Sequence, residues 1–224
     1  MAVGVVVGDD EAPGTEDGAV ISQLETVYTV VPLDDDDVEV TTGLEGIIIP
    51  GWTASAAKLA GKYVNGPIPV VYGLRTLATN AGMGASANVA GQDGVDVQVS
   101  HDALGALGLG VTVMWTGGFA VGTLTEATLP AGTVLLGYNN AGAGDSGGIG
   151  VVAAVMDAGG AMDGGGTANA RKGFCGLFIN GARYTAPCDQ FLLDMVAWTI
   201  AGGGGPSGHG LLLAMRRNHL VRVK

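Results

Sequence analysis

A mainly β fold is what this sequence predicts: a β-sandwich or barrel-like domain with one short helix and long glycine-rich loops. Three observations lead there. Valine, isoleucine and threonine recur in short runs, several alternating with polar residues, as strands with one buried face do. Glycine supplies 41 of the 224 residues without a Gly-X-Y period and beside only 8 prolines, which excludes collagen and suits tight turns. Apolar residues make up 47% of the chain and charged ones 14%, enough to bury a core and too apolar for global disorder.

Taken in order, Val3–Val7 reads as a first strand, followed by an acidic loop over Asp9–Asp17. Val20–Val31 carries strand formers and is ended by Pro32. Four adjacent carboxylates, Asp34–Asp37, repel one another, so they are expected as a solvated turn. With Val38–Thr41 alternating beyond them, Val20–Thr42 is expected to be a hairpin. Ile47–Ile49 is a short buried strand closed by Pro50-Gly51. The helix is expected around Ala56–Ala60, capped by Thr53 or Ser55 and stopped by Asn65-Gly66-Pro67.

Ile68–Leu77 reads as a strand, Asn80–Asp93 as a long loop, and Val95–Val99 as a half-buried strand. Val111–Trp115 and Phe119–Leu124 flank Gly117-Gly118, a hairpin signal. Strands are also expected over Thr133–Tyr138 and Val151–Met156, and Ala158–Ala168 as loop. Asn180-Gly181 is the strongest short hairpin signal, between Phe174–Ile179 and Ala182–Thr185. Gln190–Ile200 fits a strand or a short buried helix. Gly202–Gly210 is a linker, and Leu211–Met215 with Leu220–Val223 read as closing strands. One domain over residues 1–224 is expected, with a possible sub-boundary near 158–168.

The net charge of −11 is unevenly placed. Twelve of the 21 acids fall in the first 45 residues, whereas Arg216, Arg217, Arg222 and Lys224 lie beyond the last acid, Asp194. This pattern fits either a solvated acidic face with a basic tail or electrostatic complementarity between the two ends, within one chain or between copies. A chain this acidic is not expected to bind nucleic acid directly. No stretch is long and apolar enough to cross a membrane, and no secretory leader is evident, so synthesis in a cytosol is expected. Cys175 and Cys188 are expected as reduced core thiols.

Candidate chemistry is sparse. Gly144-Asp145-Ser146-Gly147-Gly148 resembles the nucleophile loop of trypsin-like proteases, but the partners that chemistry needs are missing. His101 follows Val99-Ser100 rather than standing in the family's His motif, and it is only 45 residues from Ser146. The string is expected to be a loop, and no catalytic residue is assigned. His101, His209 and His219 lack metal-ligand spacing. Asp34–Asp37 lack the spaced ligands and glycine of a calcium loop. No metal and no cofactor is expected. Trp52, Trp115 and Trp198 are expected in the core, since a sugar platform needs an exposed ring.

The turn Thr128-Leu129-Pro130-Ala131-Gly132-Thr133-Val134-Leu135-Leu136-Gly137-Tyr138 resembles one common in tailed-phage accessory structural proteins, above all head decoration (cement) proteins. The resemblance implies a non-enzymatic virion protein, made in the host cytoplasm, that stabilises a capsid through contacts with the major capsid protein or other virion subunits. It also implies a homo-oligomer, with a trimer favoured. Arg216, Arg217, Arg222 and Lys224 would be its partner interface. The alternatives are a phage tail tube or fibre component and, in another class, a secreted trypsin-like hydrolase or a carbohydrate-binding domain.

Overall fold

The structure, a computed structural model, describes residues 1–52, 54–59, 61–117, 119–139, 150–178 and 180–201. Its strands are β1 (Ala2–Val7), β2 (Thr29–Asp34), β3 (Gly46–Ile49), β4 (Val70–Tyr72), β5 (Ser86–Gln92) and β6 (Gly94–Val97). They continue with β7 (Gly110–Val113), β8 (Phe119–Leu124), β9 (Thr133–Asn139), β10 (Val151–Met156) and β11 (Lys172–Cys175). The helices are α1 (Thr15–Glu25), α2 (Arg75–Asn80) and α3 (Ala186–Ile200).

Sheet predominates, as the composition predicts, and among the described residues it does not close into a barrel. The strands form one mixed sheet of 11. Nine of them follow the path β2-β1-β3-β4-β11-β10-β9-β6-β7, while β8 joins β10 and β5 joins β8. The first five are parallel, and the remainder pair antiparallel. The path does not close on itself.

Helices and turns cover both faces of the parallel half. Val3, Val5 and Val7 of β1, Ile48 of β3, Val71 of β4 and Cys175 of β11 meet Val20, Ile21 and Leu24 of α1 and Phe191, Leu192 and Val196 of α3. The alternate residues, Val6, Ile47, Ile49, Val70, Tyr72 and Phe174, meet Leu77 and Ala78 of α2 together with Leu59 and Tyr63. Strands apolar at every position are what a sheet buried on both faces requires.

This arrangement corrects the expected hairpin over Val20–Thr42. β2 pairs parallel with β1, Ala2 opposite Thr29 and Val7 opposite Asp34, so the chain between them must cross over the sheet. It does so as α1, on which Val20, Ile21 and Leu24 share one buried side. Pro32 lies inside β2 rather than ending it. It is tolerated there because β2 is an edge strand, where a missing N–H breaks no ladder bond.

The single helix expected around Ala56–Ala60 is replaced by turns over its described residues. Gly61 (φ 87°) and Tyr63 (φ 55°) both take left-handed conformations, which no right-handed helix can carry through. Tyr63 is held there by its neighbours. Its hydroxyl accepts the Val40 N–H at 3.0 Å, and its carbonyl accepts the Tyr72 hydroxyl at 2.6 Å.

Other local signals yield to packing in the same way. β7 and β8 flank Gly117-Gly118 without pairing; β7 pairs with β6, and β8 with β5 and β10. Gly181 opens a short 3-10 turn rather than a hairpin. It lies so close to α1 that a Cβ would stand 2.5 Å from the Glu16 carbonyl oxygen. Asn80–Asp93, expected as loop, contains β5, and Gln190–Ile200 belongs to the helix α3. Cys175 and Cys188 are both buried free thiols.

Lys172 on β11 is a buried ammonium, 3% exposed. Its Nζ donates to the Ala81 carbonyl at 2.7 Å and touches Met162 Sδ at 3.1 Å. Desolvation lowers its pKa from 10.5 to about 8. Because the folded pKa lies below the unfolded one, the unfolded chain binds the extra proton between them, and stability from this group rises with pH across about 8 to 10.5. Lys172→Met is expected to be the more stable protein at pH 7 by about 1–3 kcal/mol. Urea titrations should show that gap narrowing by about 1 kcal/mol between pH 7 and 9. A gap independent of pH would refute the burial cost.

Candidate functional site

All five parallel strands end on the same edge of the sheet, at Val7, Asp34, Ile49, Tyr72 and Cys175. The strand order reverses at β1, with β2 on one side and β3 on the other. In open α/β sheets the loops at such a reversal splay apart and leave a crevice for ligands. The loops that frame it here are Gly8–Gly14 after β1, Asp35–Asp37 after β2 and Pro50–Ser55 after β3.

The first two loops bring the carboxylates together. Asp9, Asp10 and Asp34 each offer an oxygen within 4.8 Å of the others, and so do Asp34, Asp35 and Asp36. Asp9 Oδ1 accepts the N–H groups of Glu11 and Ala12, both at 3.1 Å, which folds its loop into a tight turn. Asp34 Oδ1 accepts the Asp36 N–H at 2.7 Å. Asp9, Asp10 and Asp34 are the residues that could converge on a hard cation or on ligand hydroxyl groups. Among the described residues, no histidine or cysteine joins a cluster of potential metal ligands.

Asp34–Asp37 are not the wholly solvated turn their charge predicts. Asp35 is fully buried. Its main chain extends the pairing of β1 and β2, donating to the Val7 carbonyl at 2.9 Å. Its side chain accepts the Ser55 N–H at Oδ2 (2.5 Å) and meets Lys58 Nζ at Oδ1 (3.0 Å). Lys58 also pairs with Asp36 at 2.7 Å, and hydrogen bonds to the two carboxylates raise its pKa well above the usual lysine value. Lys62 Nζ donates to the carbonyl oxygens of Asp35 (2.8 Å) and Asp37 (2.6 Å). Two ammonium groups thus draw the turns after β3 onto the end of β2.

The third loop carries Trp52. Trp115 and Trp198 are buried, as expected of core aromatics, but Trp52 is 38% exposed. It stands three residues before Ser55, whose backbone is fixed to Asp35. This edge of the sheet therefore carries the carboxylates of Asp9 and Asp10 after β1 and of Asp34 at the end of β2, and a partly exposed tryptophan after β3. Sequence reading treated the three tryptophans alike; the Pro50-Gly51 stop directly before Trp52, which takes the chain out of the sheet, was the signal that separated them.

The other sequence candidates lie elsewhere. His101 accepts the Ala103 N–H at Nδ1 (3.1 Å) and meets Trp198 edge-on at 5.2 Å. Its burial lowers its pKa, and it is remote in the fold from the carboxylates because it caps the turn after β6. Ser146 and the rest of the Gly144–Gly148 string fall outside the described residues, as do His209, His219, Arg216, Arg217, Arg222 and Lys224.

No protein-family model matches the chain, and no curated protein matches it. Among solved structures, it is similar to the crystal structure of Agd3, a novel carbohydrate deacetylase. The identity is 12% and the TM-score 0.51, over 90% of this chain and 32% of that one. The chain thus spans about a third of the length of the structure it matches. At that identity the likeness concerns the fold. It runs against the expectation of a non-enzymatic capsid decoration protein, which rested on the turn Thr128–Tyr138 and on composition, and stands closer to the carbohydrate-related alternative.

Proposed function

We propose that this chain is a carbohydrate-binding module that holds a saccharide in the crevice at the carboxyl ends of β1, β2 and β3. The observation that carries the reading is the placement of an exposed tryptophan and three convergent carboxylates at the strand-order reversal. A sugar presents an apolar face of ring C–H groups and an equatorial girdle of hydroxyls. Trp52 suits the first by stacking. Asp9, Asp10 and Asp34 suit the second by accepting hydroxyl protons, directly or around a bound divalent cation. The structural likeness to a carbohydrate deacetylase supports the same ligand class.

A glycan array probed with the full chain tests the proposal, followed by calorimetry on the best ligand. Trp52→Ala should weaken binding at least about tenfold, equivalent to about 1.4 kcal/mol, when measured under conditions where the variant remains folded. Asp10→Asn with Asp34→Asn should weaken it comparably. An array without glycan binding, or a Trp52→Ala protein that binds as the parent does, would overturn the assignment.

A further inference from the structure

We infer that Met162 is a modification site, where oxidation by a peroxide yields a sulfoxide whose oxygen accepts a hydrogen bond from the buried ammonium of Lys172. Among the described residues, Lys172 Nζ has one strong acceptor, the Ala81 carbonyl at 2.7 Å, and its other contact is the Met162 thioether at 3.1 Å. An ammonium carries three donors, and a thioether is only a weak acceptor. A buried cation held this way is under-satisfied, and an oxygen on the sulfur would supply what the thioether does not.

The backbone holds the sulfur in place. Ala161 and Thr167 pair across a short turn. Inside it the Met162 N–H donates to the Gly166 carbonyl and the Met162 carbonyl accepts the Gly165 N–H, both at 3.2 Å. The turn docks on the end of α2, where the Asp163 N–H donates to the Gly82 carbonyl at 2.9 Å. Gly82 leaves no slack there, since a Cβ on it would stand 2.7 Å from Met162 Cβ. Met162 itself is half-buried, whereas Met83, Met114, Met156 and Met195 are fully buried. Oxidation of methionine follows exposure. Met1 is exposed as well, but among the described residues it is the sulfur of Met162 that meets an ammonium.

The step balances with hydrogen peroxide alone. A sulfur lone pair attacks one peroxide oxygen, and the O–O bond breaks as the S–O bond forms. The proton of the attacked oxygen leaves with the other oxygen as water; sulfur gives up two electrons and the peroxide takes them. In a core, a sulfoxide ordinarily disrupts packing because a polar group replaces an apolar one. Here the new oxygen meets a charge that burial has made costly, so oxidation should favour the folded chain while Lys172 is protonated. No charged neighbour competes for that role. Burial alone shifts Lys172, Arg171 beside it pairs with Asp157 at 2.9 Å, and exposed Asp163 accepts the Gly164 N–H at 2.9 Å.

Limited treatment of the full chain with hydrogen peroxide, followed by peptide mass mapping, tests the site. Sulfoxide should form at Met162 at least about tenfold faster than at the four buried methionines. Urea unfolding of treated and untreated protein then reads the coupling. At pH 7 the oxidised parent should have a midpoint no lower than the untreated one, while oxidised Lys172→Met should lose midpoint, because its sulfoxide has no donor to meet. Met162→Leu, treated alike, subtracts the effect of oxidation at other methionines. Any advantage of the oxidised parent should disappear as pH rises across about 8 to 10.5, where the unoxidised protein sheds the Lys172 proton. Oxidation of Met162 as slow as that of the buried methionines would sink the inference. So would a loss of midpoint equal in the parent and in Lys172→Met.

Discussion

Gly176→Ala is expected to destabilise the protein by about 3 kcal/mol or more, at the upper end of what overpacking costs. Gly176 follows β11 directly, and its N–H donates to the Val152 carbonyl at 2.9 Å. A Cβ at this position would land on the carbonyl oxygen of Gly122, with the Gly122 carbonyl carbon 2.8 Å away. Those are main-chain atoms of β8, which cannot rotate aside as a side-chain tip can. Gly122 is itself confined, since a Cβ there would stand 3.0 Å from Arg75 Cβ at the start of α2. The strain therefore spreads to the β5–β8 ribbon and to α2 together. Gly18 on α1 is the control: nothing lies within 4 Å of a Cβ there, so Gly18→Ala should stabilise by about 0.5–1 kcal/mol through helix propensity and a less mobile unfolded chain. Urea midpoints of the two variants should move in opposite directions. A Gly176→Ala protein as stable as its parent would mean that β8 does not cross the end of β11 in this way.

The strands that survive from sequence to structure are those whose neighbours agree with their local pattern. Val3–Val7, Ile47–Ile49, Val95–Val97 and Val151–Met156 are short apolar or alternating runs, and each is a strand. What local pattern does not carry is direction of pairing. Val20–Val31 holds enough β-branched residues for a strand, yet the parallel pairing of β1 with β2 requires a crossover, and Val20, Ile21 and Leu24 serve equally as a helical face. Reading a hairpin there hid the parallel half of the sheet, and with it the crevice. Asn180-Gly181 misled for a related reason: it has the chemistry of a hairpin turn, but its glycine is needed for close contact with α1. The site was half legible. Clustered aspartates were visible, but that Asp35 turns inward while Asp34 joins Asp9 and Asp10 depends on loops brought together by β1 and β2. Repulsion among four carboxylates was weighed without Lys58, about 20 positions further along, which pairs with Asp35 and Asp36.

Asp35→Ala should cost about 3 kcal/mol, the range for breaking a buried ion pair by removing one partner. The Ser55 N–H would lose its acceptor and Lys58 its buried counterion; neither loss is offset, because alanine supplies no acceptor. Asp35→Asn should cost less, since an amide oxygen can still accept from Ser55, but it gives up the charge that holds Lys58. Asp36→Ala separates burial from charge. Asp36 also pairs with Lys58, at 2.7 Å, but its side chain is 68% exposed, and exposed pairs contribute about 0–1 kcal/mol. The ordering expected from chemical denaturation is therefore Asp35→Ala, then Asp35→Asn, then Asp36→Ala close to the parent. Equal costs for Asp35→Ala and Asp36→Ala would show that buried Asp35 anchors nothing. The same series reaches the crevice, because the Asp35–Ser55 bond fixes the loop that presents Trp52. Glycan affinity should fall with Asp35→Ala under conditions where that protein remains folded and hold with Asp36→Ala, so that a loss of binding tracks the position of the ring rather than the net charge around it.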